Sequence, residues 1–174
     1  MLGQLPETVK PFSLAENGQA LEGELPLAKM PRLAEQLDSD SGMVGVAIQF
    51  GCDDQNIPFM KGTLKTELVV ACQRCMESMQ IPLEIDVSLA LIQSPAEADS
   101  LPTHYEPLVI ESSRLSLLTV VEDELMLALP IVAVHDTAEC HAGETVPSAQ
   151  QQDNGSNPFS VLAELKKDQT EKTG

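Results

Sequence analysis

Two of the four cysteines in this 174-residue chain stand three positions apart, in Ala71-Cys-Gln-Arg-Cys75. At that spacing two thiolates from one tight turn reach a single metal ion, which makes the tract one half of a zinc knuckle. A second half is available downstream in His135 and Cys140, with His141 able to stand in for either, because thiolate and imidazole are donors that zinc accepts. Cys72, Cys75, His135 and Cys140 are therefore candidate ligands of a structural zinc ion. The plainer reading is a set of reduced, metal-free thiols, and the residues leave both open. A thioredoxin-like dithiol fits poorly. That pair belongs at a helix N-terminus in a βαβ unit, and this one falls between two strand-like segments.

Glu122, Asp123 and Glu124 are the other concentrated group. Neighbouring residues on a helix point about 100° apart, so the three side chains do not all converge on one cation. They are expected to form a solvated face or one that docks a basic partner. His104 and His135 have no nucleophile beside them in sequence, and there is no P-loop, dinucleotide fingerprint or serine elbow. An enzyme would need a spatially assembled carboxylate and histidine site, for instance Glu122 with His135. The chain reads better as a non-enzymatic accessory or assembly factor.

The elements that must position these residues are those of an α+β fold. Pro31 suits the first turn of a short N-terminal helix over residues 30–37, whose Leu33 and Leu37 share a face. Before it, residues 20–27 read as extended. After it, Val44, Val46, Ile48 and Phe50 alternate with smaller or polar residues at the period of a strand. Residues 59–71 give one or two further strands, with Gly62 a candidate bulge. From Ile81, apolar Leu83, Ile85, Val87, Leu89 and Leu91 alternate with polar neighbours, as in a sheet with one wet face. Short connections between consecutive strands predict an antiparallel meander. Residues 94–107, with three prolines, read as a surface loop.

The principal helix is predicted from Ser116, a candidate N-cap, to Leu129, with Pro130 as its stop and Leu117, Val121, Leu125 and Ala128 on the face that covers the sheet. Residues 1–143 then make one domain. Residues 144–156 have the Ser, Ala, Gln, Asn and Gly composition of a flexible linker. In residues 157–174, Asn157 and Pro158 open a terminal helix with Phe159, Leu162 and Leu165 on one side, either a returning arm or a docking helix for another protein.

Composition narrows the function classes. Ten Lys and Arg against 27 Asp and Glu give a formal charge of −17, which repels a phosphate backbone. With no Trp, one Tyr and four Phe, the chain also lacks the aromatic platforms on which single-stranded bases stack. Extensive direct nucleic-acid binding is therefore not expected. The acidity serves solubility, or attraction of a basic partner such as a ribosomal protein. The N-terminal MLGQLPETVK has neither the cationic start nor the apolar stretch of a signal peptide, and no run approaches a membrane span of about 20 apolar residues. A cytoplasmic protein without a membrane partner is expected.

Three separated blocks occur in order. They are Ala71-Cys-Gln-Arg-Cys75, then Val121-Glu-Asp-Glu-Leu-Met-Leu-Ala-Leu-Pro130 with Val134-His-Asp136 and Cys140 behind it, then Asn157-Pro-Phe-Ser-Val-Leu-Ala-Glu-Leu-Lys166. Together with Leu101-Pro-Thr-His-Tyr-Glu-Pro107 they resemble the YceD family, named for accumulation of large-subunit ribosomal RNA. The resemblance covers most of the chain and is weakest over the first forty or so residues. It implies a part in the synthesis, processing or stability of the large ribosomal RNA, with no enzymatic activity attached, and a ribosomal or ribosome-assembly protein as partner. Some relatives carry cysteines throughout the metal-like set, and here His135 stands where such a relative has a thiol.

Overall fold

The computed structural model describes residues 3–136 and residue 140. In chain order it contains β1 (Gly3–Gln4), β2 (Thr8–Val9), α1 (Pro11–Glu16), β3 (Ala20–Pro26), a 3-10 turn (Leu27–Lys29), α2 (Pro31–Ala34), β4 (Met43–Cys52), β5 (Pro58–Ala71), β6 (Ser78–Ile92), a second 3-10 turn (Pro95–Ser100), β7 (Glu106–Val109), β8 (Leu115–Ser116) and α3 (Leu117–Ala128). The linker 144–156 and the terminal segment with Phe159, Leu162 and Leu165 lie outside the described residues.

The α+β class holds. One six-stranded sheet runs β1-β3-β4-β5-β6-β7, and a two-stranded ribbon pairs β2 with β8. The four central strands are the expected antiparallel meander. Both outer strands are parallel additions, β1 on β3 and β7 on β6, so the sheet as a whole is mixed. β7 begins inside the stretch expected to be loop. Its 107–109 backbone joins β6 opposite Ala90, Leu91 and Ile92. The rest of that stretch is ordered by a capping box in which Ser94 and Glu97 satisfy each other's backbone donors.

β5 is one continuous strand of 14 residues, and its pairing with β4 and β6 passes through Gly62 without a skipped residue. Gly62 is not a bulge. A Cβ there would lie 2.1 Å from the carbonyl oxygen of Ala47, so the glycine lets β4 approach closely.

The alternation read from β6 orients the sheet. Val87, Leu89 and Leu91 are buried on the face that α3 covers. Leu117, Val121 and Leu125, each four residues apart, meet it from the helix together with Val120. Phe50, Met60, Leu64, Leu68, Leu33 and Met30 complete a core that is almost wholly aliphatic. Each such side chain stabilises the fold by about 1.5–3 kcal/mol relative to leaving it exposed. Ser116 caps α3 as expected, its Oγ accepting from the N–H of Thr119 at 3.2 Å. The N-terminal helix is shorter than predicted, four residues, because after Ala34 the chain tightens into turns in which Gln36 N–H donates to Leu33 O and Leu37 N–H to Ala34 O.

Candidate metal centre

The cysteine pair sits at the end of the longest hairpin in the sheet, in the turn 72–77 between β5 and β6. Both strands emerge from 13 paired positions, so the turn is rigidly placed. It closes with Cys72 N–H donating to Glu77 O and Met76 N–H to Cys72 O, both at 2.8 Å. Met76 takes the left-handed conformation, φ 63°, a backbone state that a side chain other than Gly rarely adopts.

The downstream partners arrive because α3 stops. Pro130 removes the next helical N–H, and the chain leaves the last turn to run across the hairpin tip. Gln73 N–H donates to Ala133 O at 2.8 Å and Gln73 Nε2 to Ile131 O at 3.2 Å. Two residues on, His135 N–H donates to Cys72 Sγ at 3.4 Å and His135 Nδ1 stands 3.3 Å from Cys75 Sγ. Cys140 is returned toward the same point by its N–H bond to Asp136 O at 3.1 Å.

The result is that one ligand atom from each of Cys72, Cys75, His135 and Cys140 lies within 4.8 Å of every other. Around a tetrahedral zinc with Zn–S of about 2.3 Å and Zn–N of about 2.0–2.1 Å, the ligand atoms sit roughly 3.5–3.8 Å apart. The donor set and its spacing thus fit such an ion. Cys72 is fully buried, the other three half-buried, and none is in a disulfide. Burial pushes the Cys72 thiol up, but the N–H groups of Cys75, His135 and Arg74 and the Cys75 side chain outweigh it and bring it down to about 5. At Cys75 the Glu77 N–H works in the lowering direction, yet burial and the sulfurs of Cys72 and Cys140 hold it up.

The acidic group is used differently from the expectation of a solvated face. Glu122 is buried, and its Oε1 accepts from the backbone N–H groups of Arg32 and Leu33 at 2.7 and 3.2 Å, satisfying the first turn of α2. Its Oε2 accepts from Arg32 Nε at 3.0 Å and Nη2 at 2.7 Å. Asp123 Oδ1 meets the same guanidinium at 2.7 Å, so two of the three acids converge on Arg32. Burial works against it, but Arg32 and these N–H groups hold the Glu122 carboxyl below the usual carboxylate range. Glu124 is pushed up by burial and then by Glu106 and Asp123.

With both Glu122 oxygens committed to α2 and His135 at the hairpin tip, a Glu122–His135 reaction centre is not assembled. An open hollow of about 640 Å³ lies beside His135, lined also by Val69, Ser78, Gln80, Val134 and Asp136. His104 is elsewhere, tilted against the Tyr105 ring at 4.2 Å. Sequence reasoning missed Arg32 and Gln73, the residues that anchor the acids and the hairpin tip. Neither belongs to a local motif, since their partners lie 90 and 58 residues away.

The family model described as large ribosomal RNA subunit accumulation protein YceD matches residues 60–166. A protein of Haemophilus influenzae described by the same words is 34% identical over 173 residues, covering 94% of this chain and 97% of its own length. No solved structure matches the chain.

Proposed function

The chain belongs to the YceD family, the large ribosomal RNA subunit accumulation proteins, and we propose from this that it is an accessory factor in the synthesis, processing or accumulation of large-subunit ribosomal RNA. It does this in the cytoplasm by contacting a ribosomal or ribosome-assembly protein rather than by holding RNA or carrying out a reaction. One observation carries the protein-contact part. Around the hairpin tip and the end of α3, Ile131 is 95% exposed, Leu127 77%, Met76 74% and Val132 59%. Large apolar side chains concentrated at one corner of a strongly acidic protein favour a partner with apolar groups and flanking Lys or Arg, and a net −17 speeds encounter with such a partner. Within this reading Cys72, Cys75, His135 and Cys140 are scaffold, not a reaction centre. Among the described residues no helix is long and apolar enough to cross a membrane.

The test is genetic and then biochemical. Deleting the gene lowers the ratio of large- to small-subunit ribosomal RNA, most visibly in the cold. An unchanged ratio under all growth conditions sinks the reading. Ile131→Glu with Val132→Glu reproduces the deletion while the protein still accumulates. If the double variant complements fully, contact does not run through this corner.

A further inference from the structure

We propose that Cys72, Cys75, His135 and Cys140 bind one zinc ion in a closed tetrahedral centre, and that the ion is what fastens residues 131–136 and Cys140 to the β5–β6 turn. The proposal does not depend on the ribosomal reading.

Three features of the chain converge on it. The first is the donor set. Three sulfurs and one imidazole nitrogen select zinc over magnesium, calcium or manganese, which take oxygen. Four protein ligands leave no open position, which is the composition of structural rather than catalytic sites. The spacing also conforms, with two residues between Cys72 and Cys75 and four between His135 and Cys140.

The second is the support around the sulfurs. The buried Cys72 Sγ accepts from the backbone N–H of His135 at 3.4 Å. Such a donor orients a ligating thiolate and takes up part of its charge. The imidazole is oriented in the same way, with the backbone N–H of His135 on Cys72 Sγ and its Nδ1 on the side of Cys75.

The third is what the ion would secure. Between Pro130 and Asp136 only Ala133 is buried, so this segment brings little apolar burial of its own. Its ties to the turn are the two Gln73 bonds and the sulfur contacts. A zinc ion adds bonds far stronger than these. On binding, the thiols that still carry protons release them to solvent, and the zinc keeps its charge and oxidation state throughout. The ion thereby also fixes where Met76, Ile131 and Val132 are presented.

The experiment uses the full chain purified without an affinity tag. Wild-type protein carries one zinc per chain by elemental analysis, while Cys72→Ser and Cys140→Ser carry almost none. His135→Cys, which replaces nitrogen by a fourth sulfur, keeps the full complement and serves as the folded control. Cobalt exchanged for zinc gives the intense visible bands of a tetrahedral thiolate site. A thiol reagent separates the cluster from the remaining cysteine. Cys52 is exposed and lies outside the cluster, so one thiol reacts rapidly in the loaded protein and all four after chelation. Substoichiometric metal after zinc supplementation overturns the proposal. So does an octahedral cobalt spectrum, or thiol reactivity that chelation leaves unchanged.

Discussion

Glu122 shows how one buried carboxylate can fix the position of two helices. It projects from α3 and makes four hydrogen bonds to α2, two of them to backbone N–H groups that a four-residue helix otherwise leaves without partners. Glu122→Gln keeps the size but loses the charge and part of the acceptor capacity, and is expected to cost about 1.5–3 kcal/mol in urea unfolding. The pH dependence has a defined sign. Because the folded carboxyl titrates below its ordinary 4.5, its contribution is present above that value and is lost as pH falls through the folded pKa. The wild-type protein and the Glu122→Gln variant should therefore converge in stability in acid. Glu124 carries the opposite sign, since burial and the nearby Glu106 and Asp123 raise it. A raised carboxyl penalises folding at neutral pH, and the penalty fades as the group protonates on acidification. Glu124→Gln should stabilise the protein at pH 7, by no more than a few tenths of a kcal/mol because the half-buried side chain is still partly screened by solvent.

Among the elements, the β5–β6 hairpin does most to place the candidate centre. It holds both cysteines of the CxxC pair at a fixed point, and its alternation decides which face α3 covers. Its weak position is Gly62, where β4 comes so close that a methyl group would overlap the Ala47 carbonyl and the Ile48 Cα. Gly62→Ala forces the two strands apart and is expected to cost about 2 kcal/mol or more, read as a lower denaturation midpoint at unchanged m-value. α3 depends more on its ends. Ser116→Ala removes the N-cap acceptor and should cost about 1 kcal/mol, with the sheet register intact by amide exchange. Its other end, Pro130, matters for a different reason. A helix continuing past Ala128 would carry His135 away from the hairpin tip.

At the scale of the molecule, the proposed partner contact assigns charge and apolar exposure to different steps of binding. Long-range attraction from 27 acidic residues is screened within about 8 Å at physiological ionic strength, so it governs the rate of encounter. In the proposed complex, the exposed corner at Ile131 and Val132 would govern how long it lasts. Association with a captured basic partner should slow markedly between about 50 and about 300 mM salt while dissociation changes little. The Ile131→Glu, Val132→Glu double variant should do the reverse, speeding dissociation with melting nearly unchanged, as both side chains are already in water. Surface plasmon resonance with partner immobilised distinguishes the two.

What could be read locally was legible in the sequence itself. The period-two pattern of β4 and β6, Ser116 and Pro130 at the ends of α3, and the CxxC spacing all act over a few residues, so composition and periodicity determine them. Family membership was legible for the same reason, through short blocks in a fixed order. Three features were decided only by the tertiary structure: the parallel outer strands, the close approach at Gly62, and the internal use of Glu122. Each depends on groups apart in sequence, Gly3 with Gly23 in the outer strand, Gly62 with Ala47, and Glu122 with Arg32 across 90 residues. A strand's own residues do not say which neighbour will pair with it. Nor does a run of acids say which of them will be buried, because that follows from where α3 comes to rest against α2. The four candidate ligands could be named from residue type alone, but their meeting within 4.8 Å required the sheet to hold the turn and the helix to end beside it.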